Sequence, residues 1–581
     1  MNDDRSNLIA VAAGRAPAEL VIRNARIVNV FTREVEAGSV WVHGGRIAAV
    51  GPDEGRPAAG RTIDAANAYL APGLIDAHMH VESTMLPPSE FVKLAAAHAT
   101  TAIVADPHEI ANVLGIRGIH WMMDNAQGMP LHFLWAVSSC VPSCHLETSG
   151  ARLDATDIAP LLEDPRTVAL AEMMNFPGVV FADKGVLEKV RLGRAKLVDG
   201  HSPGLRGAQL QAYLSAGIST DHECTTLEEA QEKLRRGMRI SIRQGSAAQN
   251  LPALLPLITP ANAHRFSFCT DDRHPGDVKH DGHIDHVVRL AVKGGLDPLI
   301  ALSIASINTA QHYNQRDLGA IAPGYIADFF LFKDLKDIRP HSVYFGGQLV
   351  AEHGKYLGPS KPLGTLPGGG VTLPSGLDES SFRIAAPTGA GQPLRIRVIG
   401  MNPGQLVTSE VIAEAKITNG AIVADPARDI LKLCVIERHK GGGNIGRGFI
   451  SGFRFGSSGG ALASTVGHDA HNLAVIGAND TDMLLAARTL EKAGGGQCVV
   501  QNGKVLAVLP LPIAGLMSDQ PAEVVIDQQH KVLDAAKAIG CPLEDPFMPL
   551  SFMPLPVIPA LKLSDLGLVD VLKFELVPLV V

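Results

Sequence analysis

Basic charge is in short supply. The chain has 51 lysines and arginines against 59 aspartates and glutamates, a net charge of −8 with no long run of either sign. Gripping nucleic acid or an anionic membrane takes a basic footprint, so neither is expected as a partner. Cysteine is scarce as well: the seven (140, 144, 224, 269, 434, 498 and 541) are odd in number and form no CxxC pair. That excludes a disulfide framework and favours a reducing compartment. No uncharged apolar stretch reaches the roughly 18 residues of a membrane span. The opening "MNDDRSNLIAVAAGRAPAEL" begins acidic, without the basic start and apolar core of a signal peptide. A cytoplasmic protein is expected.

What is present is an ordinary globular balance, 46% hydrophobic and 19% charged, over 581 residues. That length exceeds one hydrophobic core and implies several domains. "ELVIRNARIVNVF" and "SVWVHGGRIAAVG" within 19–52 read as short strands joined at Gly44-Gly45. "SVYFGGQLVAEHG" at 342–354 repeats the same grammar, so the two distant segments are expected to pair into one small β-domain. Between them strand candidates recur at 74–78, 101–106, 131–138, 167–172, 196–201, 217–222, 238–243 and 266–271. Helical stretches such as "TLEEAQEKLRRG" at 226–237 intervene. Eight strands with crossovers match a (β/α)8 barrel, a TIM-like α/β fold whose chemistry gathers at the strands' C-terminal ends; a doubly wound open sheet is the competitor. A Pro/Gly/Ser-rich linker follows residue 358, and about 380–581 forms a further region of mixed strands and Gly-rich turns. Those glycines follow no strand as GxGxxG and precede no Walker lysine, which argues against a nucleotide-phosphate loop.

"GLIDAHMHVEST" (73–84) sets two histidines one residue apart at a strand end, where alternate side chains share a face. Other barrel strands end alike: Glu172 in "ALAEMMN", His201 in "VDGHSPG", His222 in "STDHE" and Asp271 in "FCTDDRHP". One such histidine is ordinarily structural. Four imidazoles and two carboxylates at matching positions on five strands suit Zn, Mn or Fe(II). Six protein donors exceed the needs of one ion, so two metals with a bridging carboxylate are the natural count. The chemistry is water activation, since a metal lowers the pKa of bound water from about 15.7 to about 7. A carboxylate beside it, for which Asp271 is the candidate, adds acid–base catalysis of typically about 10²–10⁴-fold.

These motifs resemble the amidohydrolase superfamily and, more closely, its bacterial adenine deaminases. The likeness rests on "GLIDAHMHVEST", "DPHEIANVLG" (106–115), "AEMMNFPGV" (171–179), "DGHSPGLRG" (199–207), "STDHE" (219–223), "GSAAQNL" (245–251), "CTDDRHPGD" (269–277) and "DGHIDHVVRLAV" (281–292), and spans essentially the whole chain. Hydantoinases and dihydroorotases of the superfamily usually bridge their metals with a carboxylated lysine on strand 4; this chain has Glu172 there, as adenine deaminases do. The resemblance implies a β-sandwich from 1–73 and 311–358 flanking a barrel at 74–310, a linker at 359–379, and an α+β adenine-deaminase-type domain at 380–581. It also implies a binuclear centre, Mn(II) or Fe(II) with zinc compatible, and the conversion of adenine and water to hypoxanthine and ammonia by metal-bound hydroxide attacking C6. On this reading His78, His80 and Asp271 hold one ion, His201 and His222 the other, and Glu172 bridges. A homo-oligomer, most simply a dimer, is expected.

The N1 atom of the purine must gain a proton as C6 becomes tetrahedral, which calls for a second acid. "DPHE" brings Asp106, His108 and Glu109 to the end of strand 2, with His108 and Glu109 as catalytic candidates, unless the motif is only a rigid turn at Pro107. Glu82 and Arg243 join Asp106 as candidate substrate contacts, Arg243 having a structural ion pair as its alternative. Cys140 and Cys144 with His145 read better as buried thiols than as a third metal site. In "STVGHDAHNLAVIG" (464–477), His468, Asp469 and His471 either close the barrel mouth or form a polar turn. The apolar "PFMPLSFMPLPVIPAL" (546–561) is an interface or a core crossing. The rival function on the same barrel is a cyclic-amide hydrolase opening a hydantoin- or dihydropyrimidine-like ring. An H-x-E/PCxxC zinc deaminase is excluded because no PCxxC follows "HLE" at 145–147.

Overall fold

A computed structural model describes residues 5–52, 56–387, 393–402 and 405–581. Its centre is a ring of eight parallel strands. Leu74–Met79, every residue buried, pairs with Thr100–Ala105, and the ladder continues through His132–Val137, Thr167–Met173 and Val198–Gly200. Thr220–Asp221, Arg239–Arg243 and Phe266–Cys269 form the remaining arc. Two seams close the ring. Ser219 donates its N–H to the Val198 carbonyl (3.1 Å), and the Asp271 N–H reaches the His78 carbonyl (3.0 Å) while His80 N–H reaches that of Asp271 (3.2 Å). An open doubly wound sheet has no such closure, so the barrel reading holds.

The fifth and sixth strands are only three and two residues long, shorter than expected. Side chains replace the ladder there: the Thr220 hydroxyl accepts the Gly200 N–H (3.0 Å) and donates to Asp199 (2.9 Å). Gly200 is required by this approach, since a Cβ would meet the Thr220 carbonyl at 2.2 Å. The helix at 226–237 forms as Leu227–Arg235, its N-terminus capped by the Thr226 hydroxyl and acidic in its first turn, its last turn basic.

The two hairpin segments meet in one nine-stranded sheet, joined where Tyr69–Pro72 runs antiparallel to Phe329–Phe332. The sheet curls over a core of Ile22, Val40, Leu70 and Phe329, and its edge strand Arg46–Gly51 meets the segment leading into Phe329–Phe332 through Ile47 N–H to the Tyr325 carbonyl (2.8 Å). Gly44-Gly45 and Gly346-Gly347 all take positive φ (58°, 73°, 55° and 77°), the requirement of a two-residue type I′ turn.

The C-terminal region is built on an eight-stranded sheet with long helices at Asp480–Ala493 and Ala522–Ala538. The segment around 546–561 is a core crossing: Phe547, Leu550, Phe552, Leu555 and Ile558 are buried. Among the described residues, no helix is long and apolar enough to cross a membrane.

Candidate active site

The strand ends converge on one buried cluster. Three groups of donor atoms each lie within 4.8 Å of one another: His78, His222 and Asp271; Glu172, His201 and His222; and His80, Asp106, His108 and Glu172. Glu172 sits at the centre. One carboxylate oxygen is 3.2 Å from His80 Nε2 and 3.5 Å from His78 Nε2; the other is 2.5 Å from His201 Nδ1 and 3.2 Å from His222 Nε2. Asp271 Oδ1 lies 3.1 Å from His80 Nε2 and 3.4 Å from His78 Nε2.

Each donor is braced from behind. Asp76 accepts the N–H groups of His78 (3.2 Å) and Thr270 (3.1 Å) and the Thr270 hydroxyl (2.6 Å), fixing the first and last strand ends to each other. His80 Nδ1 lies 3.0 Å from the Asp106 carbonyl, which makes it the donor and turns Nε2 inward. The Tyr213 hydroxyl accepts the His201 N–H (3.0 Å). Buried Lys233 joins Asp221 (3.0 Å) to the Ser202 carbonyl (2.6 Å), locking together the loops that carry His222 and His201.

Electrostatics set this cluster apart from an ordinary core. Burial opposes ionisation of Glu172, yet His201, His78 and His222 hold it well below the usual carboxylate range. Asp271 is likewise held down, against burial, chiefly by the Arg243 guanidinium. Burial disfavours the imidazolium of His78, but Glu172 and Asp271 outweigh it and push His78 up to about 10; Glu223 and Glu172 take His201 to about 9. The Nε2 atoms of His78, His201 and His222 are buried without a hydrogen-bond partner. Buried nitrogens lacking partners beside two ionised carboxylates are what a divalent cation satisfies, displacing protons from the imidazoles. The residues fit a divalent metal.

Above this floor lies a roof from the C-terminal region. His468 Nδ1 is 2.6 Å from one oxygen of Glu109, and His471 Nε2 contacts the other. The Gly467 N–H bonds His471 Nδ1 (3.2 Å), so Nε2 carries the proton and a neutral His471 donates to Glu109; burial accordingly pulls His471 down to about 4. Burial works against a charged His468, but Glu109 and Asp272 raise it to about 9. His468 also stacks on Phe552, ring centroids 4.4 Å apart. Fully buried Arg438 holds the loop, bonding the carbonyls of His471, Ala514 (2.9 Å), Gly369 (3.2 Å) and Gly370 (3.3 Å). The loop therefore covers the barrel mouth rather than forming an isolated turn.

His108, Glu109, Arg243, Asp271, His468 and Asp469 line one chamber. Asp106 stands behind His108, accepting from Nδ1 (2.8 Å) and from the Ser138 hydroxyl (3.1 Å). Glu82 lines an adjoining chamber beside His468 and accepts the Ile110 N–H (3.2 Å). Arg243 is committed to two carboxylates, Glu223 (3.0 Å through Nη2) and Asp271 (2.5 Å). Cys140 and His145 are engaged apart from each other: Cys140 Sγ accepts the Ser139 hydroxyl (3.1 Å), and the His145 ring packs on Phe574. The sequence reading missed Glu223 and Asp272 on the chamber wall, although each directly follows a named residue in "STDHE" and "CTDDRHP". It also missed Leu406, Phe552, Leu555 and Ile558, whose apolar character gave no signal of a site.

Residues 69–350 match the amidohydrolase family and residues 405–575 the adenine deaminase C-terminal domain. Among curated relatives, the adenine deaminase of Desulfatibacillum aliphaticivorans is 48% identical over 581 residues, and that of Dehalococcoides mccartyi 46% identical over 578, each covering 100% of both chains. The adenine deaminase of Nitratidesulfovibrio vulgaris is 47% identical over 98% of both chains. With a barrel carrying this donor set and a C-terminal domain that roofs it, the chain belongs to the adenine deaminase family of amidohydrolases.

Proposed function

We infer that the protein hydrolyses adenine to hypoxanthine and ammonia at a two-metal site on the barrel floor. The observation that carries this reading is one chamber in which His80, Glu172, His201 and Asp271 of the six-donor cluster share the wall with Glu109 and His468. The names of its relatives, similar along the full length, support the substrate. His78, His80 and Asp271 would hold one ion and His201 and His222 the other, with Glu172 between them. Mn(II) or Fe(II) is our assignment; the same donors accept zinc. Bound divalent ions supply a water acidified to near neutrality as the nucleophile.

The chain's own groups move the protons. Arg243 occupies Asp271 Oδ2 and leaves Oδ1 beside His78 and His80, where it takes a proton from the attacking water and passes it to the departing amine. Glu109, held ionised against burial by His468, His471 and His108 (3.5 Å), relays a proton from the His468 imidazolium to N1 as C6 becomes tetrahedral. The C6–N bond breaks, the C6–O bond remains, and the proton of the new C6 hydroxyl restores the acid, so the sum is adenine plus water to hypoxanthine plus ammonia. Asp469, 3.9 Å from both His108 and His468, completes the polar wall. All seven cysteines are buried and unpaired, which supports the cytoplasm as the compartment.

The test is ammonia release from adenine, with adenosine and hydantoin as controls, on protein produced with Mn(II) supplied and iron restricted and its metals counted in the same sample. Adenine turnover with about two metals per chain is the expected result. Two metals with turnover of hydantoin and none of adenine would overturn the substrate and keep the hydrolase.

A further inference from the structure

The β-sandwich carries a second cluster of metal-type donors, far along the chain from the residues of the barrel floor. His341, Glu352 and His353 each offer a donor atom within 4.8 Å of the others. The strand pairing fixes them there: Ser342 is the register partner of Glu352, so His341 and His353 flank one rung of the ladder on adjacent strands. The His353 N–H bonds the His341 carbonyl (2.8 Å), and the His341 N–H bonds that of Leu331 (2.7 Å), so neither backbone is free to drift. The two imidazole rings meet edge to face, centroids 4.1 Å apart.

The turn that presents His353 is the second observation. Strand Gln348–Glu352 returns as Lys355–Tyr356 through the two residues His353-Gly354, at φ 50° and 74°. The same sheet makes its other two tight turns with glycine at both positions, Gly44-Gly45 and Gly346-Gly347. The left-handed region is disfavoured for a non-glycine residue, and this turn type favours Asn-Gly or Gly-Gly. Here the position holds an imidazole and directs it at a second imidazole. The Ser342 hydroxyl, 2.7 Å from His341 Nδ1 and 3.5 Å from a Glu352 oxygen, engages Nδ1 and leaves Nε2 for a ligand. Such outer contacts orient metal ligands.

We propose that His341, Glu352 and His353 form a surface site for a late first-row divalent cation, Zn(II), Ni(II) or Cu(II), separate from the barrel centre. Two imidazoles and one carboxylate are a three-ligand set with room for water in the remaining positions, and affinity rises through nickel to copper. The ion ties the ends of two hairpins, and because it binds the folded chain alone it raises Tm with concentration.

The holoenzyme, with its barrel metals in place, is dialysed against micromolar Zn(II) and its metals counted, alongside His341→Ala and His353→Asn, the latter keeping a residue that accepts the turn. The wild type takes up one more zinc per chain than either variant and shows a zinc-dependent rise in Tm that both lose. One equivalent of Cu(II) gives an electron paramagnetic resonance spectrum with coupling to two imidazole nitrogens in the wild type and one in each variant. Equal zinc uptake by all three proteins, or a copper spectrum unchanged by the substitutions, would overturn the proposal. Adenine turnover in each preparation reports that the variants are folded.

Discussion

The chamber has two halves of opposite construction. Its floor is made of side chains on the ends of neighbouring parallel strands, each tied to the next by a buried polar contact such as Asp76–Thr270 or Lys233–Asp221. Its roof is made of loops from a domain hundreds of residues away, and two buried basic side chains hold those loops by their carbonyls: Arg438 under the His471 loop and Lys562 under Leu406 and Phe552, the last two at 3.0 Å each. Floor donors are fixed by the barrel itself and are suited to gripping ions. Roof groups are fixed only as well as their anchors, which suits groups that close over a substrate and hand over protons. On this account metal content belongs to the floor, and enclosure and proton delivery belong to the roof.

The sharpest way to break that division is at Asp271, which we assign to the metal set and the proton path at once. Asp271→Asn is expected to lower kcat/KM for adenine by about 10⁴-fold, together with loss of bound metal; steady-state assay and metal analysis check both. Turnover within tenfold of wild type would remove Asp271 from the proton path.

Removing a roof anchor has a smaller effect. Arg438→Leu strands four carbonyls, those of His471 and Ala514 buried and those of Gly369 and Gly370 partly so, at a cost of about 1–3 kcal/mol for each buried unsatisfied group less whatever water recovers. A Tm lower by several degrees and kcat lower by about tenfold are expected, with metal content unchanged, because only the Glu109–His471 contact loosens.

Lys562 gives the mildest test. Burial without a carboxylate partner pulls this lysine down to about 7 from the ordinary 10.5. Between those values the unfolded chain holds a proton that the folded chain lacks, so wild-type stability rises with pH across that window. Lys562→Met has no such dependence. The Tm of wild type minus that of the variant is therefore expected to grow by a few degrees from pH 7 to pH 9.5; scanning calorimetry at both values checks the sign.

The floor was legible in the sequence because the barrel puts catalytic groups at one place in a repeating unit, so His78, His80, Glu172, His201, His222 and Asp271 announced themselves as ligand-type residues at strand ends. The roof was only half legible. His468 and His471 stood out as an unusual polar pair, but nothing local tied them to Glu109, some 360 positions earlier in the chain. Arg438 and Lys562 carry no motif, since their partners are backbone carbonyls present at every position. The short fifth and sixth strands were overextended because side-chain bonds from Thr220 stand in for ladder bonds that periodicity alone would supply.

The most direct test of the division between floor and roof is to count the metals and measure adenine turnover in one preparation of Glu109→Gln. The account predicts the wild-type number of metals per chain with kcat/KM reduced by about 10²–10³-fold. Metals lost in step with activity would make the roof part of the metal site, and full activity would reduce it to a cover; either result contradicts the account.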